Sequence, residues 1–204
     1  MNIRERNHAR IQKLTTLAIL VALTIALQMI CTVIKFGPFS ITLALTPIII
    51  GAALFGPGSG ALLGFVFSAV VYFTGLAGMD GGFVLLMMEY NALATTLLCL
   101  LKGTAAGFVA GLVYRLAVKK SKTVACMLAS IAAPIVNTGL FALGILAMFY
   151  GFLSAFVGEG QSAVGLLFLS WIGVNFIVEF VVNVALGTVI SRVIDYFNGK
   201  SRGA

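Results

Sequence analysis

The sequence predicts an all-α integral membrane protein with six transmembrane helices and both termini cytoplasmic. Three observations lead there. Of its 204 residues, 61% are hydrophobic and only 9% charged, and the mean hydropathy is +1.12. A soluble domain carries about 25% charged residues. The apolar runs are long: a bilayer core of about 30 Å takes about 20 helical residues. The basic residues also fall in three clusters that an even number of crossings would place on one side. Arg4, Arg6, Arg10 and Lys13 precede the first run, Arg115, Lys119, Lys120 and Lys122 sit in one short connection, and Arg192, Lys200 and Arg202 close the chain. The net charge of +7 is then a topology signal facing the cytosol and anionic headgroups, with no nucleic-acid partner implied. Lys35 is the exterior exception.

Taken in order, residues 1–13 form a basic cytoplasmic arm, a short interfacial helix or a disordered segment that carries His8. Residues 14–194 form the membrane domain and 195–204 a cytoplasmic tail. Leu14 to Ile34 gives the first span; it is too long for a signal-peptide core and lacks a following small-residue cleavage site. Ala18, Ala22 and Ala26 place small residues on one face of it, suited to close helix approach. Phe36-Gly37-Pro38-Phe39-Ser40 reads as a turn. The second apolar segment, Ile41 to Phe55, contains Pro47, which predicts a kinked or locally open helix. Gly56-Pro57-Gly58-Ser59-Gly60 reads as a tight turn before a third span from about Ala61 to Phe73.

Residues 74–100 are ambiguous. Gly75, Gly78, Asp80, Gly81 and Gly82 mark an outer loop. Phe83 to Tyr114 would be about 48 Å as one helix, longer than one crossing. The candidate turn lies near Glu89-Tyr90-Asn91, so a partly helical outer loop followed by a fourth span from about Leu93 to Leu116 is expected. The fifth span covers about Thr123 to Tyr150 with Pro134 inside. A second outer loop, Gly151 to Ser162, carries Glu159 and Gln161. The sixth span runs from about Val164 to Ile190.

Depth follows from helical rise. Lys102 lies thirteen residues before Arg115, Glu179 thirteen before Arg192, and Asn137 fifteen after Lys122. At about 1.5 Å per residue these side chains stand about 20–26 Å from the cytoplasmic ends, with Asn175 one turn beyond Glu179. An ionised side chain at such depth is expensive unless it faces a partner, a water-filled cavity or a ligand. Asn175, Glu179 and Asn183 recur every four residues, giving the sixth span a polar face. The reading is a small-molecule pocket with Lys102, Asn137, Asn175 and Glu179 as its polar residues, and Tyr90, Asn91, Trp171 and Phe141 as lid or wall. Its ligand would be small, polar and anionic at one end. The alternative is a Lys102–Glu179 ion pair that only holds helices together.

Other chemistry finds no support in the sequence. No carboxylate pair has acid/base spacing, no activated serine or phosphate-cradling loop is evident, and Cys31, Cys99 and Cys126 make neither a metal motif nor a disulfide framework. No catalytic residue, metal or cofactor is expected. Thr95, Thr96 and Thr104 are read as bonding to helix carbonyls.

Several stretches resemble the substrate-binding S components of energy-coupling factor (ECF) vitamin transporters. Ile41-Thr42-Leu43-Ala44-Leu45-Thr46-Pro47-Ile48-Ile49-Ile50-Gly51-Ala52-Ala53-Leu54-Phe55-Gly56-Pro57-Gly58-Ser59-Gly60 is similar to that family's second helix and glycine–proline turn. Lys102-Gly103 with Gly107 and Gly111 resembles the basic start of its fourth helix. The Ala18, Ala22, Ala26 spacing resembles its motif for meeting the transmembrane coupling subunit. The resemblance covers about residues 14–194. It implies a non-enzymatic subunit that captures a vitamin at its outer face, associates with a coupling subunit and two ATP-binding subunits, and topples in the membrane as ATP is used. The second-helix segment and Pro134-x-x-Asn137-Thr138-Gly139 look most like pantothenate-type members. A lone lysine suits a carboxylate, and a sparse aromatic set disfavours a flavin or pterin. Folate or another carboxylated vitamin comes next; Glu179 keeps a thiamine-type cation open. Other function classes are a proton-coupled secondary transporter using Glu179, which the lack of an inverted repeat disfavours, and a structural membrane subunit.

Overall fold

The computed structural model describes residues 3–33, 35–36, 39–40, 42–158 and 162–202. The Gly37-Pro38 turn tip, Glu159 and Gln161 lie outside them. Helix α1 (Ile3–Val33) is followed by two short antiparallel strands, β1 (Lys35–Phe36) and β2 (Phe39–Ser40), paired Lys35 to Ser40 and Phe36 to Phe39. Then come α2 (Leu45–Phe55), α3 (Pro57–Leu76), α4 (Phe83–Ala117) and α5 (Lys122–Met148). Two short helices, α6 (Tyr150–Ser154) and α7 (Ala163–Gly165), lead through a π-helical stretch, Leu166–Ile172, into α8 (Gly173–Arg202). Among the described residues, five helices are long and apolar enough to cross a membrane, and α2 is a shorter apolar helix. The protein is therefore all-α and multi-pass.

Local chemistry explains where several boundaries depart from expectation. The basic arm from Arg4 to Lys13 does not break away but continues α1. Pro47 is the third residue of α2, in a first turn whose N–H groups have no intrahelical partner anyway, so it neither kinks nor opens the helix. The Gly56 to Gly60 turn shrinks to one residue: Gly56 takes φ 90, and Pro57 starts α3 with its preset φ. From Phe83 to Ala117 the chain is one helical element interrupted at Asn91 (φ −158, ψ 96), so the anticipated turn is a kink. Helix α8 runs on past Ile190.

Helices α3 and α4 meet backbone to backbone. A Cβ on Gly60 would overlap the carbonyl of Gly107, and a Cβ on Gly64 that of Gly103. The Ser68 hydroxyl closes the seam by accepting from the Gly103 amide at 3.1 Å. With no water to expel between helices in lipid, such close approach supplies the packing energy.

Helix α2 plugs the centre of one half of the bundle. Its Leu45, Ile48 and Ile49 are fully buried and pack with Leu20, Leu63, Phe67, Ala129, Ala133 and Ile190 of the surrounding helices. This half holds the basic clusters. The Lys13 ammonium lies 5.8 Å from the Phe55 ring centre, Pro57 lies against Gly111, and Lys122 pairs with Asp195 at 3.0 Å. The start of α1, the end of α4, the start of α5 and the end of α8 thus share one end. A second apolar cluster, around Met87, Leu98, Ile145, Phe149 and Leu167, fills the other half on the α4–α5 side.

Gly64→Ala and Gly103→Ala should each lower the melting temperature of the detergent-purified protein by several degrees, for a cost of about 1–3 kcal/mol from overpacking. Gly139→Ala, where an added Cβ meets nothing within 4 Å, should leave it unchanged or raise it. Equal melting temperatures for the three variants would show that the glycine seam carries no packing energy.

Candidate functional site

Because α2 begins at Leu45, the bundle's centre is unplugged beyond it. The space is a cavity lined by α1 (Gln28, Thr32), the approach to α2 (Thr42), α3 (Phe67, Val71, Thr74), the α3–α4 connection and first turn of α4 (Asp80, Phe83, Val84), α4 (Cys99, Lys102), α5 (Asn137, Thr138, Phe141) and the last helical segment (Ile172, Asn175, Phe176, Glu179). Thr42, the closing residues of α3 and the opening residues of α4 show that it extends to the end opposite the basic clusters. Lys102, Asn137, Asn175 and Glu179 all line it, as helical rise suggested.

Each side chain is aimed by its helix. Lys102 precedes Gly103, so the α3–α4 glycine seam sets its height and direction. Its ammonium sits 4.4 Å from the centre of the Phe141 ring, where the negative ring face attracts a cation. Lys102 and Glu179 interact electrostatically but stand beyond the 4.0 Å ion-pair distance. The clamp-like ion pair weighed above is therefore not formed. The Asn137 side chain instead lies close enough to the Glu179 carboxylate to influence it, and the Asn183 amide donates to the Glu179 backbone carbonyl at 2.8 Å. Glu179 is only 5% exposed and its Oε1 has no hydrogen-bond partner. Buried acceptors left in that state cost free energy until something donates to them.

Asp80, at the rim, is committed locally. Its two carboxylate oxygens accept from the Gly82 and Val84 amides at 2.9 and 2.8 Å, tying the connection to the first turn of α4. Among the described residues the cavity thus carries one cation and two carboxylates, with one carboxylate engaged by backbone N–H groups.

Other expected wall residues fall elsewhere. Tyr90 is half exposed and packs its ring on Phe149 and Phe152, 5.8 Å from each centroid. Asn91 makes the kink: its side-chain oxygen accepts from the Ala94 amide at 3.0 Å, capping the second part of α4. Neither lines the cavity. Trp171 lies in the π-helical stretch, and its side chain is outside those described. Phe141 does line the cavity, but so do Phe67, Phe83 and Phe176. The expectation of a sparse aromatic set does not hold: four rings from four parts of the chain converge.

Sequence reasoning missed Gln28, Thr32, Thr42 and Asp80. The signal for α1 was present, because Thr24, Gln28 and Thr32 recur every four residues in an otherwise apolar helix. All three are buried, whereas Ala18, Ala22 and Ala26 are exposed on the remaining surface of α1. Thr95, Thr96 and Thr104 each donate to a carbonyl four residues back, as expected. The three cysteines are buried and free.

A family model described as the substrate-specific component of ECF transporters matches residues 12–201. Among curated proteins, none matches the chain.

Asn91→Ala should cost about 1 kcal/mol by removing a helix cap and speed hydrogen exchange at Ala94 and the adjoining amides. Unchanged protection at Ala94 would show that the kink is held by packing alone.

Proposed function

This chain belongs to the ECF transporter substrate-specific component family, and on that premise we propose that it captures a small carboxylated vitamin, with pantothenate the best fit. S components bind substrate, carry no catalysis, and work with a transmembrane coupling subunit and ATPase subunits. ATP hydrolysis belongs to those partners.

One observation carries the substrate reading. Among the described residues, the Lys102 ammonium lines the cavity without an ion-pair partner within 4.0 Å, inside a segment apolar enough to cross a membrane. A carboxylate supplies the missing counter-charge, and a charge-assisted hydrogen bond of this kind is among the stronger polar contacts. Asn137, Asn175 and Glu179 would hold the rest of the molecule. Within the carboxylated vitamins, the likeness of the second-helix segment and of Pro134-x-x-Asn137-Thr138-Gly139 to pantothenate-type members favours pantothenate, and Asn137 and Thr138 both line the cavity. The four phenylalanines remove the aromatic argument against folate, which stays the next candidate.

Topology follows the same reading. The basic clusters share one end, which we assign to the cytoplasm by the positive-inside rule. The cavity then opens outward, and both termini are cytoplasmic. The short apolar helix α2 would supply the core of the sixth crossing. Ala18, Ala22 and Ala26, exposed on α1, would let a helix of the coupling subunit approach closely.

Thermal melting of the purified protein against a vitamin panel tests the substrate. Pantothenate should raise the melting temperature, and Lys102→Met should abolish that rise. A rise with folate or biotin alone would replace the substrate, and a rise that survives Lys102→Met would refute the carboxylate site. For the docking face, Ala22→Trp should retain vitamin binding while uptake in cells carrying the whole transporter falls at least about tenfold. Normal uptake by an intact complex would remove that face from the interface.

A further inference from the structure

Among the described residues, neither carboxylate that lines the cavity forms an ion pair with Lys102. Asp80 is taken up by the Gly82 and Val84 amides, and Glu179 stands beyond the 4.0 Å ion-pair distance. What meets the ammonium instead is a ring, with the centre of Phe141 4.4 Å away.

Helix α5 arranges this. It packs against both α4, which carries Lys102, and α8, which carries Glu179. Asn137 and Phe141 lie one turn apart on it and share a face. Asn137 is close enough to the Glu179 carboxylate to influence it, and Phe141 meets the ammonium. The Phe141 side chain is only 7% exposed and belongs to the apolar cluster of Leu98 and Ile145. Its place is thus set by packing and not by the charge it faces.

The kind of partner matters to binding. A protein carboxylate paired with Lys102 would occupy the N–H donors that an incoming carboxylate needs. Binding would then exchange one ion pair for another and strand the displaced charge in a desolvated site. A ring face attracts the ammonium from one side through its quadrupole. It leaves N–H donors on the other sides of the same nitrogen open.

We propose that Phe141 is a positioning residue: its ring holds the Lys102 ammonium apart from Glu179, ready for an incoming carboxylate, and so sets the site's preference for an acid over its neutral analogue. This rests on the carboxylate reading of the same cavity. It adds a residue that acts through Lys102 and needs no polar contact with the ligand.

Pantothenate is compared with pantothenyl alcohol, in which a hydroxymethyl group replaces the carboxylate. Affinities are measured calorimetrically on the full chain in detergent. The wild type should prefer the acid by at least about 30-fold. Phe141→Leu should shrink that preference about tenfold, through weaker binding of the acid. Pentafluorophenylalanine at Phe141 keeps the shape of the ring but reverses its quadrupole. It should shrink the preference in the same way, and it carries the test if the leucine variant does not fold. Equal weakening of acid and alcohol, with the preference unchanged, would overturn the positioning role and leave the carboxylate site standing. Equal affinity of the wild type for acid and alcohol, or binding of neither, would overturn the carboxylate reading and this inference with it.

Discussion

The rest of the structure depends on the backbone contact between α3 and α4. Gly60 against Gly107 and Gly64 against Gly103 bring two helices closer than any side chain would permit. The Ser68 bond to the Gly103 amide then fixes their register. In lipid, where apolar side chains gain nothing by leaving the surrounding tails, such proximity is the available source of cohesion. Lys102 is the residue beside that seam. Its depth and direction follow from a contact made by its neighbour Gly103, so a charge that is costly to bury is positioned by backbone packing.

The cavity is a consequence of helix length. An 11-residue α2 spans about 16 Å, half a bilayer core, and fills only the half of the bundle that holds the basic ends. Beyond its first turn the centre is left to side chains of the surrounding helices. Those include Asn137 and Glu179, together with four phenylalanines that keep much of the remaining wall apolar. Pro47 fits this arrangement because the first turn has no N–H to lose.

What was legible in the sequence is what helical geometry alone determines. That Lys102, Asn137, Asn175 and Glu179 line one cavity could be read at the level of depth because rise per residue and a spacing of four do not depend on neighbours. Tyr90 and Asn91 were misplaced because depth says nothing about azimuth, and the kink at Asn91 turns both residues toward other work. Gln28 and Thr32 were missed although their spacing with Thr24 was visible. Which side of α1 turns inward is decided by packing against α2 and α3. The aromatic wall was illegible for a different reason: Phe67, Phe83, Phe141 and Phe176 are far apart in sequence, and only the closed bundle collects them.

Helix α1 is a partition one helix thick. Gln28 faces the cavity and Ala26, two residues earlier, faces out. The wall of the cavity on this side is thus only as thick as the helix, and any rotation of α1 about its axis would move Gln28 and the alanine surface together, with no relay of intervening residues.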